Sequence, residues 1–512
     1  MKTILNFIKK NRNIILLIIS FVFLTMLVLG MTYAYFDLKT GGETESTMNI
    51  GGAEISATYS FSNSINITDA LPGNDVIAYK DITLTYKNTS SEEYKVYLKA
   101  VIDYSTFTNT ENDGVLYYDI YSGTDHSTLV QDKTIFPTIK YGKSILKEIS
   151  IPANSTGTLN YRINFYFPES DKLQNPDGQL VLNASISVES DNSLKYTPTL
   201  LKQIEKMYLS NAEVNGLEQD DTTDKNIRYV GANPKNYVEF ANPGELWRIV
   251  GVFNVKDSTG KIERKIKLVR NESLGSYSWD ATGNDNYGFN NWTEADLKNE
   301  LNGDYLDTTL TANKNNWYNS YWDSSTNKPV FRQTGVFDYT KVIKSNYQNM
   351  ISESVWNIGG NSYSNPSSAP YGLPLLDQYN KERGTITYQN NRPTAWTGKI
   401  GLIYASDYGY ASTNSECREN LRAGVTYDKA NDKWDYSNGK CKTDNWLVKS
   451  TWYWTLSPCS GSSSCVFNAN GGGAVDDYSA YDSGGVLPAV FLKSDVLITG
   501  GTGEEGSPYR LG

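Results

Sequence analysis

Residues 452–492 read WYWTLSPCSGSSSCVFNANGGGAVDDYSAYDSGGVLPAVFL, and the fold of the C-terminal half turns on this stretch. Its two ends are core-like: Trp452, Trp454 and Leu456 alternate, and Val486, Leu487, Val490 and Phe491 are densely apolar. Between Ser457 and Gly485 there is no Lys, Arg, Glu, Gln, Met, Ile, Thr, His or Trp. Ser, Gly, Asn, Asp, Tyr and Cys dominate instead, as in a solvated loop or a binding surface of small polar groups and tyrosines. The expected ligand-contacting residues are Ser460, Ser462, Asn468, Asn470, Asp476, Asp477, Tyr478, Tyr481 and Asp482.

Composition bounds the class of protein around this stretch. At 512 residues the chain exceeds one ordinary domain, so two or three are expected. Hydrophobic residues at 39%, charged residues at 20%, 38 Tyr and 11 Trp describe a folded, β-rich chain with a polar surface. The net charge of −10 and the lack of basic clusters interleaved with aromatics argue against a nucleic-acid partner. His126 is the single histidine. That count leaves no HExxH motif, no Ser-His-Asp site with a choice of bases and no His-rich metal site. No catalytic residue, metal or cofactor is therefore assigned.

The N-terminus carries Lys2, Lys9, Lys10 and Arg12 before an apolar run from Ile14 to Leu29 and the segment MTYAYF. A basic flank before an apolar core predicts a cytoplasmic N-terminus and an exported remainder. Residues 1–36 are read as a signal peptide cleaved after Ala34, or as a retained transmembrane helix holding the chain at the membrane. The chain is expected on the extracellular face of a Gram-positive-type membrane, or secreted.

From 37 to 190 the pattern has period two: Ile82, Leu84 and Tyr86; Tyr94, Val96, Leu98 and Ala100; Tyr161, Ile163, Phe165 and Phe167; Leu182, Ala184, Ile186 and Val188. Turns such as Leu71-Pro72-Gly73-Asn74 and Asn175-Pro176-Asp177-Gly178 separate these strands, which predicts an all-β antiparallel sandwich. The junction GMTYAYFDL, the segment ALPGNDV followed by DITLTYKN, and the closing strand LVLNASISVES resemble the TasA/camelysin family of secreted Gram-positive proteins. The resemblance implies a jelly-roll-like domain exported through a dedicated signal peptidase, in a family that includes matrix-fibre subunits, and so self-assembly through the sandwich. Metallopeptidase activity ascribed to some relatives is not carried over, because the histidines for such a site are lacking.

Residues 191–227 read as a linker with one short helix, capped by Thr199 and apolar at Leu200, Leu201, Ile204 and Met207. The run Gln219–Asp224 reads as a solvated turn rather than a calcium site, since alternating oxygen ligands are absent. Beyond Arg228, strands are expected at Tyr237–Phe240, Leu246–Phe253, Lys265–Val269 and Gly401–Ala405. A helix is expected from Thr293, boxed by Asp296, with Leu297 and Leu301 inward. Long Asn-rich connections fill 303–395.

The segments ELWRIVGVF, IKLVRNESLG, NNWTEADLKNELNGDYLD, GLIYASDYGYAS, YWTLSP, GGVLPAVFLKSDV and GGTGEEGSPYRL resemble an uncharacterised domain of Gram-positive, often gut-associated, surface proteins. That domain is similar to the C-type-lectin-like fold shared with formylglycine-generating enzymes. The resemblance implies that 228–512 forms an α+β C-type-lectin-like ligand-binding domain, rich in loops around a small twisted sheet.

All four cysteines lie in this half, and an even number in one exported domain reads as two disulfides. Of the three connectivities, Cys417–Cys441 with Cys459–Cys465 pairs nearest neighbours. A catalytic reading of the close pair, as in formylglycine-generating enzymes, lacks the substrate groove and the metal or oxygen chemistry it would need. A calcium-dependent sugar site lacks Glu-Pro-Asn, and Asp280–Asn286 reads as a turn before it reads as a metal loop. Trp247, Trp292, Trp317, Trp322, Trp356, Trp446 and Trp454 are candidate sugar platforms, with Trp247 and Trp454 assigned to the core.

Every residue type from Ser457 to Gly485 is one that an Asn codon reaches when its adenines are replaced. Lectin-like folds host the variable regions of diversity-generating retroelements, while a Gly/Ser/Asn-rich loop has an overlapping composition. These features converge on an exported surface-binding protein or adhesin for an extracellular protein or glycan ligand. A structural subunit of a matrix or fibre, and an oxidoreductase-like enzyme of the formylglycine-generating type, stand as alternatives.

Overall fold

The computed structural model describes residues 44–512 apart from 51–52, 60–63, 69, 108–114, 138–141, 170–179, 195–196, 283–287, 363–371, 429 and 431–432. Residues 1–36, with the proposed cleavage at Ala34, and the turn at 175–178 therefore lie outside the described residues. Among the described residues no helix is long and apolar enough to cross a membrane. The chain divides into two compact units, Met1–Tyr196 and Thr197–Gly512.

Among the described residues the first unit contains ten strands. They are β1 (Thr44–Ile50), β2 (Ala53–Tyr59), β3 (Ser64–Ile67), β4 (Val76–Asn88) and β5 (Tyr94–Ser105), then β6 (Tyr117–Ser122), β7 (Thr128–Ile135), β8 (Gly142–Ile151), β9 (Ser155–Tyr166) and β10 (Leu182–Glu189). They build a six-stranded sheet, β1-β2-β4-β9-β6-β7, and a four-stranded sheet, β3-β10-β5-β8, with every pairing antiparallel. The period-two pattern is why: in β10 Leu182, Ala184, Ile186 and Val188 are buried while the residues between them face outward. Ile82, Leu84, Ile163 and Phe165 of the larger sheet share one core with Leu98, Ala100 and Ile186 of the smaller. The unit is a β-sandwich, as the alternation predicted.

The second unit opens with helix α1 (Leu200–Asn211), where the Thr199 hydroxyl accepts the Lys202 N–H at 3.1 Å. Leu200, Leu201 and Ile204 are buried in the core of this unit. The segment read as a linker is thus the unit's first element. It continues into β11 (Leu217–Gln219) and β12 (Ile227–Tyr229), strands of three residues and too short to show an alternation in sequence.

β13 (Tyr237–Glu239), β14 (Leu246–Lys256) and β15 (Ile262–Arg270) follow, close to the expected positions. Further on come β16 (Ser276–Ser278), helix α2 (Asp296–Asn302), the hairpin β17 (Lys314–Asp323) and β18 (Lys328–Phe337), helix α3 (Ser345–Gln348), β19 (Ser354–Asn357) and helix α4 (Leu375–Glu382). α2 starts at Asp296 without a side-chain cap, because Asn291 rather than Thr293 anchors the preceding turn, its Oδ1 accepting from the Thr293 hydroxyl at 2.8 Å. Leu297 and Leu301 point inward as expected. The region read as long connections is thus largely ordered structure: its polar strands pair with each other and bury few side chains.

β20 (Ala395–Gly398) and β21 (Ile400–Leu402) precede helix α5 (Ala405–Tyr410), so the strand expected at 401–405 gives way to helix at Ala405. Helix α6 (Ser415–Glu419) and the strands β22 (Thr426–Asp428), β23 (Lys433–Asp435), β24 (Tyr453–Pro458), β25 (Cys465–Ala469), β26 (Val475–Ser479), β27 (Ser483–Gly485) and β28 (Pro488–Phe491) complete what bears on the site. One sheet runs β11-β12-β14-β15-β28-β21, with β13 also on β14, and the other runs β16-β27-β24-β25-β26.

Charge is buried between these elements. Arg228 donates to Asp220 (Nε, 2.8 Å) and Asp407 (Nη1, 2.6 Å), and Lys267 donates to Asp407 at 2.6 Å. All four side chains are at most 2% exposed. Asp220 and Thr222 therefore belong to the core, which corrects the solvated-turn reading at those two positions, while Gln219, Asp221 and Thr223 are exposed as that reading expects. A buried guanidinium needs a carboxylate, and Asp220 supplies one.

Candidate functional site

The stretch 457–485 is not an open loop. It supplies the end of β24 and all of β25, β26 and β27, and only the turns between them lack regular structure. Three expected contact residues consequently lie inside. Asn468 is fully buried on the central strand β25, in register between Trp454 and Asp476. Asp476 is 5% exposed and its Oδ1 accepts from Arg422 Nη2 at 3.0 Å. Tyr481 is 6% exposed. β25 pairs on both sides, so Asn468 is enclosed there whatever its type, whereas Asp476 lies on the edge strand β26 and is enclosed by its pairing with Arg422, and Tyr481 lies in the turn after it.

Four others are half-buried and hold local structure. Ser460 donates its N–H to the Asn361 carbonyl at 2.7 Å, and the Ser462 carbonyl accepts from Asn290 Nδ2 at 2.9 Å. The Asn470 side chain accepts from the N–H groups of Gly472 (3.0 Å) and Ala474 (3.3 Å), closing the β25–β26 turn. Asp482 follows β26, and burial pushes its carboxyl up to about 6.

Asp477 and Tyr478 remain at the surface, on the edge strand β26. Tyr478 is 40% exposed, and its ring centroid lies 4.8 Å from that of half-buried Trp452. Asp477 lies 3.4 Å from Arg422 Nη1. A neighbouring hairpin extends this surface. The Tyr427 ring of β22 packs at a tilt against Trp434 of β23, centroids 4.7 Å apart, with Tyr436 6.3 Å from Trp434. Tyr436 is hydrogen-bonded to Asp476, and the Arg422 guanidinium lies 5.2 Å from the Trp434 ring. Arg422 thus joins the hairpin to β26, and five partly exposed rings, Tyr427, Trp434, Tyr436, Tyr478 and Trp452, surround the join.

None of the hairpin residues was expected at the site. The signal in sequence is short: the alternation Trp434-Asp435-Tyr436 opposite Tyr427, across a polar turn.

Both disulfides form in nearest-neighbour pairing, Cys417–Cys441 and Cys459–Cys465. The first closes the segment that carries the aromatic hairpin, and the Cys441 N–H donates to the Gly473 carbonyl at 3.1 Å, tying it to the β25–β26 turn. Cross-links of this kind persist in an oxidising compartment. Atoms of Cys459, Cys465 and Asp477 come within 4.8 Å of one another, but bonded sulfurs offer no thiolate to a metal.

Asp280, the first residue of the candidate metal loop, has its carboxylate engaged within the chain: Oδ1 accepts from the Thr282 hydroxyl (2.7 Å) and Oδ2 from the Phe289 backbone N–H (2.6 Å). Burial raises it to about 6, and 283–287 lie outside the described residues. Trp247, Trp292, Trp317, Trp356, Trp446 and Trp454 are all buried, so they are core rather than platforms. The Trp322 side chain lies outside the described residues. His126 sits in the β6–β7 turn of the first unit with Nε2 3.8 Å from Asp81, whose carboxylate is held by Arg162 at 2.6 and 2.7 Å.

No protein-family model and no curated protein matches this chain. Among solved structures, it is similar in part to TmCBM61 in complex with β-1,4-galactotriose, at 8% identity and a TM-score of 0.14, over 31% of this chain and 98% of that one. A likeness of that size carries no argument about fold or ligand.

Proposed function

We propose that the protein is an exported surface-binding protein or adhesin whose second unit presents the aromatic surface around Arg422 to an extracellular glycan or protein. The observation that carries this reading is the gathering of five partly exposed rings from two separate segments about one buried arginine. Aromatic rings give large contact area at low entropy cost, and the Gly- and Ser-rich turns beside them admit varied ligands. In this reading the first unit is a TasA/camelysin-like stalk, the second is C-type-lectin-like, and the N-terminal segment directs export. Diversification by a retroelement is compatible with Asp477, Tyr478 and Asp482 but not with Asn468 or Asp476, where replacement strikes the core. A reverse-transcriptase gene with a near-identical template repeat beside this gene would support it.

The test is binding of the full chain to arrays of glycans and surface proteins, followed by Tyr478→Ala and Trp434→Ala. Replacing an interface aromatic at the centre of a contact costs about 2 kcal/mol or more, so at least a tenfold loss is expected for each. Ligand binding that survives both replacements unchanged rules this surface out.

A fibre-subunit reading has one observation in its favour: edge strand β7 leaves Leu129 and Ile135 45% and 48% exposed. Strand addition there predicts filaments of the chain by electron microscopy, abolished by Leu129→Lys.

A further inference from the structure

The second unit also contains a cleft of about 270 Å³ that shares no residue with the aromatic surface. Among the described residues its lining carries three cations, Lys267, Arg383 and Lys256, and one acid, Asp224, in a chain of net charge −10; Asp407 and Glu382 approach Lys267 and Arg383 from behind the lining. Lys267 is fully buried, with its ammonium 4.2 Å from the Tyr404 ring centroid and 5.5 Å from that of Phe491. An ammonium has three donors, and Asp407 is its hydrogen-bond partner among the described residues.

Arg383 is the more available group. Its guanidinium lies 3.4 Å over the Tyr379 ring and 5.1 Å from that of Tyr404, which fixes its plane. Asp224 and Glu382 are 3.8 and 3.5 Å away, near enough to balance charge but beyond good hydrogen-bond length. Each acid is engaged elsewhere: Asp224 accepts the Tyr379 hydroxyl, and Glu382 accepts from Ser457 Oγ at 2.6 Å and Gln378 Nε2 at 2.9 Å. Among the described residues the one hydrogen bond of Arg383 runs from Nη1 to the Tyr379 carbonyl at 3.3 Å. A pre-oriented fork with spare donors matches a carboxylate in two-point geometry.

The remaining walls are of two kinds. Phe253 and Phe491 offer apolar surface, and Asn254 and Asn357 bring amides that can serve hydroxyls. The volume falls just below the ~300–1,000 Å³ of sites for drug-sized ligands, which selects a single ring. We infer that this cleft binds a uronic acid, free or as a residue of a glycan, with its carboxylate on Arg383 above Lys267 and its ring between Phe253, Phe491 and the two amides.

The experiment is ligand-observed saturation-transfer NMR on the full chain with D-glucuronate, D-glucose and acetate, with Kd values from titration. Glucuronate is expected to bind saturably, with glucose and acetate each at least tenfold weaker, because each keeps only half of the recognition. Arg383→Gln is expected to weaken glucuronate at least tenfold, and Arg383→Lys to recover part of the loss. Lys256→Gln, at an exposed position, is expected to cost a few-fold and to reduce the salt dependence, whether or not the Arg383 variants fold. Tyr478→Ala leaves glucuronate binding intact, so failure of the aromatic surface and failure of this cleft are read separately. A glucuronate-terminated oligosaccharide that competes with the monosaccharide marks a glycan source, and one that does not marks the free acid. Glucose binding as tightly as glucuronate, absence of saturable glucuronate binding, or binding indifferent to the Arg383 and Lys256 variants overturns the assignment.

Discussion

Replacing Asp407 by Asn tests the buried charge network that joins four segments of the second unit. The Asp407 carboxylate is fully enclosed and takes Arg228 on Oδ1 and Lys267 on Oδ2, each at 2.6 Å, with the Tyr404 N–H on Oδ2 at 3.0 Å. The two cations hold it well below the usual carboxylate range. Burial meanwhile pulls Lys267 down to about 8, so the pair is charged at neutral pH. Asn keeps the shape and removes the charge. Arg228 then retains Asp220, but Lys267 loses its carboxylate.

Breaking one side of a buried ion pair costs ~3–5 kcal/mol. Lys267 limits the loss by shedding its proton more readily, since Asp407 is what raises its pKa against burial, so the lower end, about 3 kcal/mol, is expected. Unfolding entropy of ~2.1 cal/mol/K per residue in a unit of about 300 residues gives ~0.6 kcal/mol/K, hence a Tm drop of about 5 °C. Scanning calorimetry at pH 7 with the disulfides intact measures it. The double variant Asp407→Asn/Lys267→Met removes the stranded ammonium and is expected to lose less than the sum of the two single variants. An Asp407→Asn protein melting within a degree of the parent, or strictly additive losses, refutes the reasoning. The parent's own network survives acidification: a depressed carboxylate contributes its stability above the unfolded pKa and loses it only as pH falls through the folded value.

Glu300 behaves in the opposite sense. It is buried with Oε2 lacking a partner among the described residues, and burial, reinforced by Asp296, raises it to about 9. A raised carboxyl makes the folded state bind the extra proton, so its contribution declines as pH climbs from about 4.5 towards 9. The Tm advantage of Glu300→Gln over the parent is therefore expected to grow from pH 5 to pH 9, and parallel pH profiles would exclude this. Gly484→Ala places a Cβ 2.2 Å from the Trp452 ring, which also supports Tyr478. Overpacking of this kind costs ~1–3 kcal/mol, and an unchanged Tm and near-UV spectrum would contradict the packing described. Removing Cys417–Cys441, with a sequence separation of 24, is expected to cost more than removing Cys459–Cys465, with 6. Loop closure entropy gives ~3.5 against ~2.2 kcal/mol, and paired Cys→Ser variants melting in the reverse order would show that native contacts, not chain entropy, dominate.

Local chemistry made much of the fold legible. The alternation in β10, the Thr199 cap, the inward Leu297 and Leu301, and the nearest-neighbour cysteine pairs are decided within a few residues of chain, where periodicity and turn residues speak directly. The candidate site was legible only in part. Tyr478 and Asp477 reach the surface as expected, while the hairpin residues Tyr427, Trp434 and Tyr436 come from a segment more than forty residues upstream of Tyr478 in the chain.

By itself, then, the stretch from Trp452 to Leu492 determined that its ends are core, Trp452 excepted because its ring is only half-buried beside Tyr478, and that its cysteines close a short loop. It did not determine which of its small polar residues meet solvent, because Ser, Asn, Asp and Gly fit a loop and a tightly packed strand alike. The sheet order β16-β27-β24-β25-β26 decided that, enclosing Asn468 on a central strand and leaving Tyr478 on the edge. The same holds for Asp220, which reads as a solvated acid until tertiary packing brings Arg228 against it and, through Asp407 and Lys267, completes a charge balance that no local segment contains.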